Sequence, residues 1–196
     1  MIHPPHKIII FDLEVTAWEG SLKRQWSKQN EYPEIVQIGA ILFDTQKLQE
    51  VESFMKYVKP VKNPILSDYF VQLTGITQEI VDRNGLAFVE VFEKFKTWAN
   101  GYPLYSWGGW KSDAVWLKEN CEWSGIPLSF PRNQLRDIQG IFKKAGIPTE
   151  LYSSGTIVKA FGKKPSRRAH DGRNDARTIA EGLRELAQEH FLVGYK

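Results

Sequence analysis

One cysteine is all the chain contains, Cys121, so no internal disulfide can staple the fold, and this usage fits a reducing compartment such as the cytoplasm. Cys121 reads as a helix-core residue rather than a nucleophile. No Cys/His set of the kind that holds structural zinc is present. No apolar run is long enough to span a bilayer, so no membrane contact is expected. The first residues, Met1-Ile2-His3-Pro4-Pro5-His6-Lys7, lack the apolar stretch of a secretory leader. Repeats, low-complexity tracts and linkers are missing as well. The 196 residues, 42% hydrophobic and 25% charged, are therefore expected to form one domain over 1–196 with a substantial core.

Charge of either sign is not in large excess: the net value is +3, which permits a polyanionic partner without demanding one. Its placement is more informative. Lys159, Lys163, Lys164, Arg167 and Arg168 precede His170, and Lys23, Arg24 and Lys28 follow Glu14. Each cluster alone reads as a solvated loop, but together they flank two acidic segments and are placed to steer a phosphate backbone.

The first acidic segment ends an apolar run, Ile8-Ile9-Ile10-Phe11, that reads as a strand buried on both faces. Residues two apart on a strand point the same way, so Asp12 and Glu14 present their carboxylates together. Burying two like charges is costly unless a cation joins them. Hard divalent cations take oxygen ligands, and Asp113 and Asp175 are the further carboxylates available. His170 stands five positions before Asp175, and a histidine near its reference pKa can accept a proton from water at neutral pH.

The remaining pattern places these residues on elements. Strands are expected over Lys7–Leu13, Glu34–Phe43 and Val51–Val58, with the first two joined by a polar loop from Thr16 to Pro33. Ser67 can cap a helix over Asp68–Leu73, and Thr77 a short one through Val81. Phe88, Val91, Phe92, Phe95 and Trp98 recur at helical spacing. Leu104–Trp107 reads as a short strand, and Ser112 as the cap of a helix to about Trp123 with Asp113 in its first turn. A last strand over Asn133–Arg136, short helices over Ile138–Ala145 and Thr156–Phe161, and a closing helix over Asn174–Glu189 complete a mixed sheet covered by helices.

Phe11-Asp12-Leu13-Glu14, Asp113 and His170-Asp171-Gly172-Arg173-Asn174-Asp175-Ala176 resemble the three motifs of the DEDDh 3′–5′ exonucleases, and Leu73-Thr74-Gly75-Ile76-Thr77 resembles a further segment of that family. Glu14-Val15-Thr16-Ala17-Trp18-Glu19-Gly20 and Ser106-Trp107-Gly108 are most similar to the Eri-type branch. The resemblance runs from about Lys7 to Leu186. It implies an α/β, RNase H-like fold with a mixed central sheet flanked by helices. It also implies release of nucleoside 5′-monophosphates from the 3′ end of single-stranded RNA or DNA, without choosing between the two polymers.

By the same resemblance, two Mg²⁺ or Mn²⁺ ions are expected: Asp12, Glu14 and Asp175 hold one, Asp12 reaches the second with Asp113, and His170 is the general base. Leu13, Val15, Thr16, Leu73, Gly75, Ile76 and His170 itself are the expected contacts to the terminal nucleotide, and Trp18 a stacking residue or a loop anchor. Trp107, Trp110 and Trp116 are expected in the core. One departure stands out, since Lys111 occupies the place that simple counting gives the second-motif aspartate. Asp113 is preferred because Asp113-Ala114-Val115-Trp116-Leu117 restores the interval to the helix leucine. That spacing is the feature favouring a catalytically weak, exonuclease-shaped interaction module. A polymerase proofreading subunit ranks lower, because no partner-binding tail follows Tyr195-Lys196. Protein partners are not indicated.

Overall fold

The structure, a computed structural model, describes residues 5–193, with side chains as far as 188. The readings of Met1–Pro4 and Tyr195-Lys196 lie outside the described residues. β1 (Lys7–Val15), β2 (Ile35–Asp44) and β3 (Gln49–Tyr57) run antiparallel as neighbours. β4 (Leu104–Ser106) adds to the other side of β1 in parallel, and β5 (Leu135–Asp137) adds parallel to β4, giving the order β3-β2-β1-β4-β5. The expected mixed sheet is therefore present, each long strand shifted or extended by a residue or two at its ends.

The helices are α1 (Asp68–Thr74), α2 (Gln78–Asn84), α3 (Phe88–Ala99), α4 (Asp113–Trp123), α5 (Gln139–Lys144) and α6 (Gly172–Val193). Ser67 and Thr77 cap α1 and α2 as expected, their side chains accepting from Phe70 N and Ile80 N. The stretch read as a helix over Thr156–Phe161 is a 3₁₀ segment, Ile157–Phe161. Ser112 does not cap α4. Its backbone lies outside the geometry a cap needs (ψ −104°), and its hydroxyl sits 2.7 Å from Trp107 O and 3.0 Å from Asp113 Oδ2.

Strand parity divides the core into two layers. Ile9, Phe11, Leu13 and Val15 of β1 pack with Phe92, Phe95, Ala114 and Leu117 of α3 and α4. Ile8 and Ile10 pack with Phe142 of α5 and with Ala176, Ile179 and Leu183 of α6. Asp12 and Glu14 have the even parity, so they point to the α6 layer and toward its first turn.

Two glycines let α6 come that close. Gly39 is the register partner of Asp12 on β2, and a Cβ there would overlap the backbone nitrogen of Arg173 and the carbonyl carbon of Gly172. A Cβ on Gly172 would lie 2.6 Å from Asp12 O. Buried Gln37 fixes the approach, its Oε1 accepting from Gly172 N at 2.7 Å and its Nε2 donating to Asp171 Oδ2 at 3.3 Å. Gly39→Ala is accordingly expected to cost about 2 kcal/mol or more in a urea melt, since the colliding atoms are backbone and the helix start must move. A loss below roughly 0.5 kcal/mol would show that the approach is not tight.

Candidate active site

Asp12 and Glu14 descend from β1 and Asp175 rises from the first turn of α6. One carboxylate oxygen from each lies within 4.8 Å of the others, and all three residues are buried. Asp171 accepts from Asn174 N at 2.9 Å and caps this turn. Asp113 reaches the same cleft from the opposite layer. Its Oδ1 accepts from Leu13 N at 3.1 Å, which ties the start of α4 to the residue between Asp12 and Glu14. Lys111 is exposed in the 3₁₀ turn Gly109–Lys111, which takes up the extra spacing after Trp107-Gly108.

The electrostatics are those of an anionic pocket in need of positive charge. Burial, followed by repulsion from Asp113, Asp175 and Glu14, raises the Asp12 carboxyl pKa well above its ordinary value. Burial, then Asp175 and Asp171, does the same to Glu14. Asp113 and Asp175 are both pushed up to about 6, chiefly by burial and against the hydrogen bonds they accept. Glu14 Oε1 and Asp175 Oδ1 are buried without a hydrogen-bond partner among the described residues. Hard-oxygen donors, two orphaned oxygens and mutual repulsion fit a divalent cation, whose ligands stand about 2.0–2.6 Å from it.

These shifts have a sign. An acid with an unfolded value near 3.8 and a folded value of about 6 keeps its proton longer in the folded state. The stability of the metal-free protein is therefore full below the unfolded value and falls as pH rises through the window from about 4 to 6. Thermal melts in chelator are expected to show Tm dropping by about 5 °C or more between pH 4.5 and 7.5, with Mn²⁺ restoring it at the higher pH. A Tm that climbs with pH across this window would contradict the repulsion.

His170 stands on the exposed rim in a left-handed backbone conformation (φ 62°), with its N–H donating to Asp175 Oδ2 at 3.3 Å. Partial desolvation, then the Arg168 guanidinium, lowers its imidazole pKa. Ser154 donates to the same Asp175 oxygen at 3.2 Å, and the next residue is glycine because a Cβ on Gly155 would lie 2.7 Å from Asp175 Oδ1.

These groups open into a cleft of about 440 Å³ that includes Asp12, Glu14, Asp113, His170 and Asp175. Of the expected nucleotide contacts, Leu13, Val15 and Leu73 line it. Thr16, Trp18, Gly75 and Ile76 are not among the lining residues. β1 has an irregularity at Glu14/Val15, and beyond it Thr16 is buried, its hydroxyl accepting from Glu34 N at 3.0 Å and donating to Tyr32 O. Trp18 is half-buried, and its backbone N–H donates to Ser21 Oγ at 3.1 Å. Gly75 (φ 75°) is the left-handed C-cap of α1 beneath the Arg168 guanidinium, and Ile76 packs with Phe70 and Val81.

Trp26, Tyr69 and Ser154 line the cleft without having been singled out in the sequence, and Trp107 and Trp116 pack against the core as expected but line the cleft as well. Trp116 had a signal, since it follows Asp113 by three residues on one helix face. The basic clusters are partly neutralised, Arg24 by Glu31, Lys163 by Glu185 and Arg167 by Glu181, which weakens the expectation that they guide a phosphate chain.

Residues 9–183 match the RNase_T family, described as exonuclease. The chain is 29% identical over 193 residues to 3′-5′ exoribonuclease 1 of Rattus norvegicus, covering 93% of this chain and 53% of that protein. It is 27% identical over 186 residues to the probable 3′-5′ exonuclease KapD of Bacillus subtilis, covering 94% of this chain and 86% of the relative. The crystallographic nuclease domain of 3′hExo, a DEDDh family member bound to rAMP, superposes with a TM-score of 0.77 at 26% identity, covering 93% of this chain and 92% of that one. The chain spans about half the length of the exoribonucleases it matches. The architecture is accordingly the RNase H-like fold.

Proposed function

The chain belongs to the RNase_T exonuclease family, and from that premise we propose that it is a divalent-metal-dependent 3′–5′ exonuclease for single-stranded RNA, DNA or both. The observation that carries the proposal is the convergence of Asp12, Glu14 and Asp175, with two orphaned carboxylate oxygens, in a cleft that also takes in Asp113 and His170. Residues 1–196 act as one catalytic domain, and the lone buried Cys121 suits the cytoplasm.

In this reading Asp12, Glu14 and Asp175 would hold one Mg²⁺ or Mn²⁺, and Asp12 with Asp113 would hold a second. Bound ions of this kind supply charge to the phosphate oxygens and lower the pKa of a water. The chain's own groups do the rest. Asp113 keeps the Leu13 backbone in place beside the two β1 carboxylates. Leu13, Val15 and Leu73 offer apolar surface to the last nucleotide. His170, held neutral at pH 7 by its lowered pKa, takes the proton of the attacking water. The water oxygen bonds to phosphorus, the bond from phosphorus to the 3′-oxygen breaks, that oxygen takes a proton from solvent, and a 5′-monophosphate leaves a shortened strand with a new 3′-hydroxyl.

Incubation of 5′-labelled single-stranded RNA and DNA oligonucleotides with Mg²⁺ or Mn²⁺ tests this reading. Stepwise shortening with 5′-monophosphate products is expected. No release from any polymer with either metal would overturn it, and metal-dependent binding without release would identify an interaction module instead.

A further inference from the structure

The carboxylates account for only some of the residues that line the cleft. Leu22, Trp26, Tyr69 and Trp116 line it as well, and none of them is charged. Trp26 stands edge-on to Trp116, with ring centroids 5.4 Å apart and planes at 71°. Its Nε1 donates to Thr16 O at 2.8 Å, so its one polar atom is already satisfied. The ring is half-buried, and Leu22 beside it is 68% exposed, so this wall is open to an incoming group.

The chain holds Trp26 there against its own backbone preference. Gln25 (φ 54°) and Trp26 (φ 51°) are consecutive left-handed residues, and neither is glycine. Bulky side chains seldom adopt that conformation, and where they do the surroundings must enforce it. Here Trp26 N donates to Ser21 O at 2.9 Å, and the Arg24 guanidinium grips both oxygens of Glu31 across the loop. Trp26 packs against two core clusters on its inner side, so the same device that anchors the loop also holds the ring rigid where it lines the cleft.

Resting on the function proposed above, we propose that Trp26, backed by Trp116, is a stacking platform for an unpaired nucleobase of the substrate strand. A flat ring accepts any base and needs that base to be free of a complementary partner. Preference for single strands over paired 3′ ends would then come from this loop as well as from the reacting groups.

The test uses oligonucleotides in which one abasic nucleotide replaces the last, second-last or third-last residue, with phosphorothioate linkages at the 3′ end to block hydrolysis. Their Kd is read by fluorescence anisotropy with Mg²⁺ for the wild type, Trp26→Leu and Trp26→Phe. At one of the three positions the wild type is expected to lose about tenfold in affinity when the base is removed. Trp26→Leu should bind intact and abasic strands alike at that position, and Trp26→Phe, which keeps an aromatic face, should retain most of the discrimination. The responding position identifies the nucleotide that stacks. Undiminished discrimination by Trp26→Leu at every position would overturn the proposal, as would an equal loss on intact and abasic strands, which marks a purely structural role. Because binding is read without turnover, a wild type that binds with this pattern but releases no nucleotide refutes the enzymatic reading alone.

Discussion

Asp12→Asn is expected to reduce nucleotide release by roughly 10³-fold or more, while the metal-free variant melts at a higher temperature than the wild type at pH 7.5. Both effects have one cause. Asp12 lies beside Glu14 and Asp175 in a cluster where burial first, and repulsion from neighbouring carboxylates second, raises each carboxyl pKa. The amide keeps the shape and removes one of the like charges, so the empty fold relaxes even as it loses a shared ligand. Circular dichroism melts in chelator and a labelled-oligonucleotide assay read the two halves. Lost activity together with a lower Tm would assign Asp12 a structural role instead. Asp175→Asn should behave in the same way, with a smaller gain in Tm because its carboxyl already accepts from Ser154 and from the His170 backbone.

The second large effect is expected at His170. Removing a general base typically costs about 10²–10⁴-fold in rate, and His170 is exposed on the cleft rim and is not one of the three residues whose carboxylate oxygens converge. His170→Asn is the cleaner substitution, since asparagine tolerates the left-handed backbone at this residue (φ 62°) better than alanine does. Turnover should fall by that factor while oligonucleotide and Mn²⁺ affinity stay within about threefold, a margin of well under 1 kcal/mol. The wild-type rate should decline below neutral pH as the imidazole protonates, and the variant should lose that limb of the profile. Equal loss of binding and turnover would mean that His170 holds substrate rather than moving a proton.

The parts of this account that were legible in the sequence are those with a local cause. Parity on β1 puts Asp12 and Glu14 on one side because neighbouring side chains alternate, and Ser67 and Thr77 cap their helices through a bond to a residue three positions on. Asp113 enters the first turn of α4 at the position its leucine interval suggested. What stayed hidden depends on partners distant in the chain. Nothing local marks Gly39 as the site where α6 touches β2, because the colliding atoms belong to residues 172 and 173. Thr16 follows the first acidic segment closely, yet its hydroxyl is taken by the backbone at Tyr32 and Glu34. Nothing local marks Trp26 either, since left-handed backbone at two successive non-glycine residues leaves no compositional trace.

Buried carboxylates from β1, α4 and α6 are expected to gather around divalent ions. Anomalous diffraction at the manganese edge, from crystals grown with Mn²⁺ and a nucleoside 5′-monophosphate, tests this most directly. The predicted result is a strong peak within about 2.0–2.6 Å of oxygens from Asp12, Glu14 and Asp175, with the phosphate beside it. Full nucleotide density with no manganese among these side chains would contradict it.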